Sequence, residues 1–324
     1  MLLKLVEYHW AEHIDDALLL LGRLDTKTVP LAGGTYLLGL KDESIQAVVD
    51  LRDLELAYIS EDARYLHIGA MTTLQTMAEA PLLKEFATGL LSHAALASSS
   101  SRLIRNCATV GGTLGAGMAS QADLWTALVA LDAEAVVRSG SKTQVNLSGG
   151  TLERPGLALS GVVFKGKQER RLSCATLGLE RRPAELIVEV AIPHTASGCG
   201  TSFGRISRTP TDVALLNVAA LVEIEDGKYK RVRLVFGGVN MEPQRIQVIE
   251  QQFEGYPVVY PIDSERLLAL LRAGLATVRF PSDMRVSGAY RRVSSAHLAS
   301  HALEEAMNVA HWRSMVSSGA GKAV

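Results

Sequence analysis

Two glycine pairs in similar settings constrain this chain most strongly. One lies in residues 31–39 (LAGGTYLLG) and the other in residues 108–115 (ATVGGTLG). Glycine tolerates positive φ and lets a ligand approach the main chain, and successive bare N–H groups in such a turn form a concave site for anionic oxygens. One Gly-Gly between a strand and a helix is an ordinary tight turn. Two, with matching flanks, predict a ligand that carries a diphosphate.

Composition describes a globular protein and excludes several classes of partner. The chain has 324 residues, of which 48% are hydrophobic and 21% charged, enough for two or three cores. A formal net charge of -1 and only 5% aromatic residues argue against binding nucleic acid. No apolar run is long enough to span a membrane, and the N-terminus lacks the pattern of a secretory leader. We therefore expect a cytoplasmic protein without membrane insertion.

The cysteines argue against a metal cluster held by this chain alone. Cys107, Cys174 and Cys199 lie far apart and form no CxxC pair. Iron–sulfur clusters usually need four thiolates, with several at short spacing. We therefore expect three reduced, partly buried thiols and no metal site, so that any cluster chemistry would come from a partner chain.

Periodicity predicts an α+β protein with a domain boundary near residue 197. Residues 1–55 read as a small α/β unit and residues 56–197 as a second one, in which a buried helix over 83–99 leads to the second glycine loop. A small-residue stretch over 194–200 precedes a third unit over 198–312 with a strong hairpin signal at 225–227. Residues 313–324 are expected to be a flexible tail. Other predicted elements are strands over 2–6, 45–51, 65–70, 135–138, 160–165, 185–192, 200–208, 213–224 and 229–237, and helices over 11–24, 73–80, 123–133, 267–276 and 297–310.

A dinucleotide-binding fingerprint is the main rival interpretation. Residues 115–120 (GAGMAS) nearly match it, and Glu134 follows at a suitable distance. The third glycine is missing, and the residues before Gly115 are themselves a glycine turn rather than a strand. An NAD(P)-dependent Rossmann oxidoreductase nevertheless stays open as an alternative, as does an assembly or interaction subunit with a vestigial cofactor cleft.

The chain resembles the FAD-binding medium subunit, or domain, of the molybdenum hydroxylases, the group of xanthine dehydrogenase and carbon monoxide dehydrogenase. The resemblance covers almost the whole length. The matching blocks, in order, are LAGGTYLL at 31–38, IRNCATVGGT at 104–113, ADL at 122–124, ALVALDA at 127–133, ELIVEVAIP at 185–193, SFGRISR at 202–208, GGV at 237–239 and YRR at 290–292. Thr113 stands where the family often has Asn.

The resemblance implies a fold and a cofactor site. The fold would be a two-subdomain FAD-binding domain of the PCMH or vanillyl-alcohol-oxidase-like type, followed by a C-terminal domain with a three-stranded antiparallel sheet and helices. The FAD diphosphate and ribityl chain would be wrapped by the two glycine loops, Asp123 would accept hydrogen bonds from the adenosine, and Ile187 and Arg205 would contact the cofactor. The loop positions implied are Ala32, Gly33, Gly34, Thr35, Tyr36, Leu37, Thr109, Gly111, Gly112 and Thr113.

The resemblance also implies a function and partners. No side chain of the chain would be catalytic, because the flavin carries the redox chemistry. Electrons would leave a substrate at a molybdopterin-cofactor large subunit, cross a [2Fe-2S] small subunit, reach FAD in this chain and pass to an external acceptor. The substrate cannot be read from this chain, because the molybdenum subunit would select it, and the acceptor stays open among quinone, oxygen, NAD and a protein carrier.

Overall fold

The computed structural model describes residues 4–118, 122–140, 168–209, 211–238 and 242–320. The chain forms two compact units, each assembled from three separate stretches. The first unit comprises Met1–Thr73, Asn106–Ala116 and Glu134–Ala191, and the second comprises Leu74–Arg105, Gly117–Ala133 and Ile192–Val324. The strand predicted over 160–165 lies outside the described residues.

The first unit contains a parallel sheet that carries the first glycine loop. Its strand order is β1-β3-β2, and β3 is buried along its whole length. The elements are β1 (Glu7–Trp10), α1 (Ile14–Leu21), β2 (Thr28–Leu31) and β3 (Ala47–Asp50). Of the strand predicted over 2–6, residues 2 and 3 lie outside the described residues and residues 4–6 are not in a strand; pairing with β3 begins at Glu7 and places Tyr8 beside Val48.

A five-stranded sheet completes the first unit, in the order β4-β5-β8-β6-β7. Its strands and two further helices of this unit are β4 (Ile59–Glu61), β5 (Tyr65–Gly69), α6 (Val110–Ala116), β6 (Glu134–Ser139), β7 (Gln168–Ser173), α8 (Leu177–Glu180) and β8 (Glu185–Pro193). Leu18 of α1, Val49 of β3, Val136 of β6 and Val188 of β8 belong to one hydrophobic core. Both sheets are therefore held by a shared set of aliphatic contacts.

The second unit has an antiparallel sheet in the order β12-β11-β10-β9. The elements of this unit are α2 (Leu74–Glu79), α3 (Pro81–Glu85), α4 (Leu90–Ala97), α5 (Arg102–Cys107, which ends in the first unit), α7 (Ala122–Ala130), β9 (Cys199–Ile206), β10 (Leu216–Glu225), β11 (Lys228–Gly237), β12 (Gln244–Arg245), α9 (Gln247–Glu250), α10 (Ser264–Gly274) and α11 (Gly288–Ala320). The predicted hairpin is confirmed, with positive φ at Asp226 and Gly227. The three long strands match the predicted sheet, to which β12 adds a two-residue edge.

The helix predicted over 83–99 is not continuous. Ala87, Thr88 and Gly89 all have positive φ, so the chain turns sharply between α3 and α4. Thr201 in β9 stabilises this turn: its N–H donates to Thr88 Oγ1 at 3.1 Å, and its hydroxyl donates to Ala87 O at 2.7 Å. Contacts that are distant in sequence thus override a strong local helix pattern.

The C-terminal helix is much longer than predicted. Instead of residues 297–310, α11 spans Gly288–Ala320, so the residues expected to begin a tail at 313 continue the helix as far as 320. Its buried side chains, among them Ala299, Leu303 and Ala306, pack in one core with β10 and β11. Among the described residues, none of the helices is both long and apolar enough to cross a bilayer.

Candidate functional site

The first glycine loop presents backbone donors that the protein does not use. It follows the carboxyl end of β2, where ligands usually bind parallel sheets. Within the described part of the chain, the N–H groups of Gly33, Gly34, Thr35 and Tyr36 have no acceptor. Gly34 has a φ of +71°, a conformation that glycine adopts without strain. Thr35 is exposed, and its three neighbours here are half-buried. The loop therefore offers consecutive N–H dipoles to an anion.

The second glycine pair is built differently, as the first turn of helix α6. Thr109 is its N-cap, because Thr109 Oγ1 accepts the Gly112 N–H at 3.0 Å. The neighbouring amides are also occupied: Val110 N–H donates to Thr72 O, Gly111 N–H to Ala70 O and Thr113 N–H to Thr109 O. Sequence reasoning expected bare amides in both loops. The structure shows them only in the first.

The two glycine pairs nevertheless lie against each other in the first unit. A Cβ atom on Gly33 would lie 1.6 Å from the backbone oxygen of Cys107, so only glycine fits there. A Cβ on Gly112 would lie 3.7 Å from Ala32 Cβ, and one on Gly111 would lie 2.7 Å from Ala70 Cβ. The predicted loop residues are thus brought together, with the open donors on one side of the contact.

Asp123 lies in a buried polar cluster in the second unit. Asn217 Nδ2 donates to Asp123 Oδ1 at 2.6 Å, and Thr126 Oγ1 donates to Asn217 Oδ1 at 2.9 Å. Arg205 Nη2 lies 3.7 Å from Asp123 Oδ2. Burial raises the pKa of the Asp123 carboxyl to about 6, against the opposing effects of Arg205 and Asn217. The predicted residues Asp123 and Arg205 are therefore together, and both are already engaged with protein groups.

Sequence reasoning missed Asn217 and Thr126. Asn217 is 94 residues from Asp123 and 91 from Thr126, so no local spacing pattern could reveal the cluster. The only signal was polarity, since Asn217 interrupts the apolar run 216–222 of β10, where it is completely buried. Buried polar groups of this kind require partners.

The remaining predicted residues are placed as follows. Leu37 begins a single 3-10 turn that ends the first loop at Gly39. Ile187 is a buried residue of β8, paired with Val137 of β6. Thr113 is buried in α6, where its hydroxyl donates to Thr109 O at 2.9 Å.

The rival dinucleotide fingerprint lacks its structural context. Gly115 lies inside α6, whereas the fingerprint requires a strand immediately before its first glycine. The motif's last two residues, 119 and 120, lie outside the described residues. The described geometry therefore does not favour a nicotinamide cofactor at this motif.

The thiols divide into one exposed and two buried groups. Cys107 is exposed, and Cys174 and Cys199 are buried. Burial raises the pKa of each of the latter two to about 12, so these thiols stay protonated near neutral pH. Across the described ranges, His, Cys, Asp and Glu side chains form no cluster that could hold a metal ion.

The fold and the open donor loop define a cofactor-binding α+β protein, and two family models fit it. Residues 4–195 match the FAD binding domain in molybdopterin dehydrogenase, and residues 201–306 match the CO dehydrogenase flavoprotein C-terminal domain. The chain belongs to the family of FAD-binding domains of molybdopterin dehydrogenases. It is accordingly a flavoprotein subunit of the oxidoreductase class with FAD as its cofactor, as the resemblance implied.

Individual relatives support the family assignment over most of the chain. The glyceraldehyde dehydrogenase medium chain of Sulfolobus acidocaldarius is 26% identical over 88% of this chain and 92% of its own length. The nicotine 6-hydroxylase medium subunit of Paenarthrobacter nicotinovorans is 27% identical over 90% and 93%.

Solved structures confirm the fold. Carbon monoxide dehydrogenase from Hydrogenophaga pseudoflava superposes with a TM-score of 0.78 at 22% identity, covering 94% of this chain and 98% of the matched one. Quinoline 2-oxidoreductase from Pseudomonas putida 86 gives a TM-score of 0.76 at 21% identity, with coverages of 94% and 97%.

Proposed function

We propose that this chain is the electron-transferring FAD subunit of a multi-subunit molybdenum hydroxylase. It would take electrons from a partner [2Fe-2S] subunit, which receives them from a molybdopterin-cofactor subunit, and pass them to an external acceptor. The observation that carries the proposal is the set of unused N–H groups at Gly33, Gly34, Thr35 and Tyr36. Membership in a family of FAD-binding domains indicates that the ligand of these N–H groups is FAD.

The first glycine loop fits the diphosphate of FAD. Its donors are backbone dipoles, fixed by the β2–loop junction and by the close contact of Gly33 with Cys107, so they need little reorganisation to meet an anion. FAD, when bound, supplies the redox chemistry. The protein's part is to hold it: Ala32 to Leu37 on one side, with Thr109, the N-cap of α6, and Gly111 to Thr113 of α6 beside them.

The contacts proposed for Asp123, Ile187 and Arg205 rest on the family resemblance alone. In the second unit, the Asp123 carboxylate is aligned by Asn217 and lies near the Arg205 guanidinium. Both carboxylate oxygens already face protein groups, Oδ1 the Asn217 amide and Oδ2 the Arg205 guanidinium. The assignment of Asp123 to the adenosine therefore stays a prediction.

The proposal of partner subunits rests on two observations. In the described ranges, the chain has no side-chain cluster that could hold a metal, so molybdenum and iron–sulfur chemistry would be supplied by other chains. The relatives are named as medium chains or subunits, one of them as a subunit of a dehydrogenase complex.

Flavin retention tests the site. Purified full-length protein should be yellow and should release FAD on denaturation. Gly34→Val should abolish retention, because the substitution strains a positive φ and places a branched side chain against Leu38. Gly39→Val is the matched control, since its Cβ meets nothing within 4 Å, and it should keep FAD. Colourless wild-type protein that cannot take up FAD, or a Gly34 variant that retains it, would reject the site.

Electron transfer is tested separately. The tagged chain, isolated from its own source, should co-purify with chains that carry a [2Fe-2S] electron paramagnetic resonance signal and molybdopterin. Substrate-driven bleaching of the flavin should then disappear in the complex rebuilt with the Gly34→Val chain and persist with the Gly39→Val chain. An isolated FAD-protein without these partners would leave the cofactor assignment intact and overturn the proposed role in the complex.

A further inference from the structure

A cavity in the second unit is lined by residues that the FAD site does not use. Its volume is about 520 Å³, within the range of sites that hold a small organic molecule. It lies between two stretches of the chain. The stretch that joins β12 to α9 contributes residues 244–248, and the stretch that ends α10 and follows it contributes Gly274 and residues 277–279. We call this space the α9–α10 cavity.

Both walls of the α9–α10 cavity are anchored in the hydrophobic core of the second unit. On one wall, Ile246 and Ile249 are buried in that core, and the Ile246 N–H donates to Leu234 O of β11 at 2.9 Å. Next to the other wall, Phe280 belongs to the same core, and its ring meets the ring of Phe236 edge-on, with centroids 6.5 Å apart. The fold therefore fixes the backbone on both sides, and a ligand would meet a largely pre-formed site.

The charged groups of the lining are two arginines, and one of them is uncompensated. Arg245 is compensated, since its guanidinium donates to Glu250 Oε2 at 2.6 Å and to Asp132 Oδ1 at 3.3 Å. Among the residues that the structure describes, the Arg279 side chain forms no ion pair and no hydrogen bond, and no aspartate or glutamate lines the cavity. A free guanidinium on a wall without acids attracts an anion.

The neutral groups of the lining indicate what else the ligand carries. Within the described ranges, the side chains of Gln247 and Thr277 have no protein partner, so their amide and hydroxyl groups are free to donate to a ligand. Val248 and Val278 line the same space with aliphatic carbon. These groups suit a molecule with one anionic end and a non-polar body.

We propose that the α9–α10 cavity binds a small organic monocarboxylate, held by the Arg279 guanidinium, with Gln247 and Thr277 as further donors. A carboxylate matches the planar fork of a guanidinium through two parallel hydrogen bonds. Its single charge equals the one uncompensated charge of the lining, whereas a phosphate monoester carries about two charges near neutral pH. The site goes beyond the proposed electron transfer, because its ligand is not FAD and its lining lies wholly in the second unit.

Isothermal titration calorimetry of the full-length protein with benzoate tests the site. We expect saturable binding with a dissociation constant on the order of millimolar, as for other ligands of this size. Arg279→Gln should weaken it about tenfold or more, because hydrogen bonds to a charged group are lost. Arg266→Gln is the matched control, since Arg266 is exposed in the same unit and lies outside the lining, and it should keep the wild-type affinity.

Two results of this titration would overturn the proposal. One is benzoate binding that does not saturate, and the other is an equal loss of affinity in Arg279→Gln and Arg266→Gln, which would indicate a general charge effect. Neither result bears on FAD, because the titration can be made on protein with or without the flavin.

Ligand comparisons test the chemical class. Benzyl alcohol, which has the same ring and no charge, should not bind, and phenyl phosphate should bind more weakly than benzoate. Benzyl alcohol that binds as well as benzoate would overturn the role of Arg279. Tighter binding of phenyl phosphate would overturn the assignment of a carboxylate.

A substitution that fills the cavity tests its place without changing charge. Val248→Trp puts a larger side chain into the lining, so the affinity for benzoate should fall while thermal unfolding stays unchanged. Val259→Trp, at a position 71% exposed in the same unit and outside the lining, should bind benzoate as the wild type does. Wild-type affinity in Val248→Trp would show that benzoate binds elsewhere and would overturn the proposed cavity.

Discussion

The two glycine pairs look alike in sequence and differ in what they leave available. Both are followed directly by a threonine. Gly33-Gly34 lies in a loop with unused N–H groups, whereas Gly111-Gly112 lies in a helical turn whose N–H groups are occupied. The difference shows that a glycine pair can serve either as a set of donors or as a packing contact. Which role it takes depends on the carbonyls and hydroxyls around it.

Gly33→Ala should have the largest effect, because it breaks the contact between the two pairs. The new Cβ would overlap the backbone oxygen of Cys107, which cannot rotate away. We expect the free energy of unfolding to fall by about 3 kcal/mol, as for severe overpacking, with loss of bound FAD. Urea denaturation and the flavin absorbance of the purified protein measure the two effects.

Gly39→Ala is the control for that experiment. It lies in the same loop with open space around its Cβ position, and should leave both quantities unchanged. Normal stability and flavin content in Gly33→Ala would contradict the close contact between the pairs.

Asp123→Asn extends the comparison to a predicted cofactor-binding residue that is already hydrogen-bonded to Asn217. Burial raises the Asp123 pKa from 3.8 to about 6, so the folded state binds a proton more tightly than the unfolded state. Stability should therefore fall as pH rises from about 4 to about 6, by up to about 3 kcal/mol. In Asp123→Asn this contribution disappears, because the amide keeps the acceptor for Asn217 and carries no charge.

Urea denaturation at several pH values measures the difference between wild type and Asp123→Asn. The wild type should lose stability relative to the variant as pH rises through that window. Glu12→Gln, at an exposed position, controls for the general change in charge. Parallel pH curves for wild type and Asp123→Asn would show that the carboxyl is not buried as described.

Thr109→Val and Thr35→Val compare a threonine beside the second glycine pair with one beside the first. Thr109→Val removes the N-cap of α6, and the unfolding free energy of the FAD-free protein should fall by about 1 kcal/mol. Thr109→Ser should restore most of it. Thr35→Val, in the exposed first loop, should cause no change. Equal effects of Thr109→Val and Thr35→Val in thermal unfolding would remove the proposed distinction.

Sequence predicted the parts of the fold that depend on local patterns. The hairpin at Asp226-Gly227 and the long strands around it follow from turn chemistry and alternating hydrophobicity. The break at Ala87 and Thr88 does not, because Thr201, more than a hundred residues away, stabilises it. The Asp123–Asn217 pair was not predicted for the same reason, because its two residues are distant in sequence.

The family of the chain, and hence FAD, could be inferred from its ordered motif blocks. That the N–H groups around the second glycine pair are already hydrogen-bonded could not be inferred from the sequence. Their acceptors are the carbonyls of Ala70 and Thr72, which are distant in sequence. One local signal was available: Thr109 stands three residues before Gly112, the spacing of a helix N-cap.

Gly115→Ala should have the smallest effect and the opposite sign. Gly115 lies near the end of α6, its φ is not positive, and a Cβ there would meet nothing within 4 Å. Alanine should therefore stabilise the helix by about 0.5 kcal/mol. Gly34→Ala, by contrast, should destabilise the protein by about 1 kcal/mol, because it forces alanine into the left-handed region. Thermal unfolding of the two variants compares them directly. A loss of stability in Gly115→Ala would mean that the second pair lies in a loop after all, and the two glycine pairs would then be alike in structure as well as in sequence.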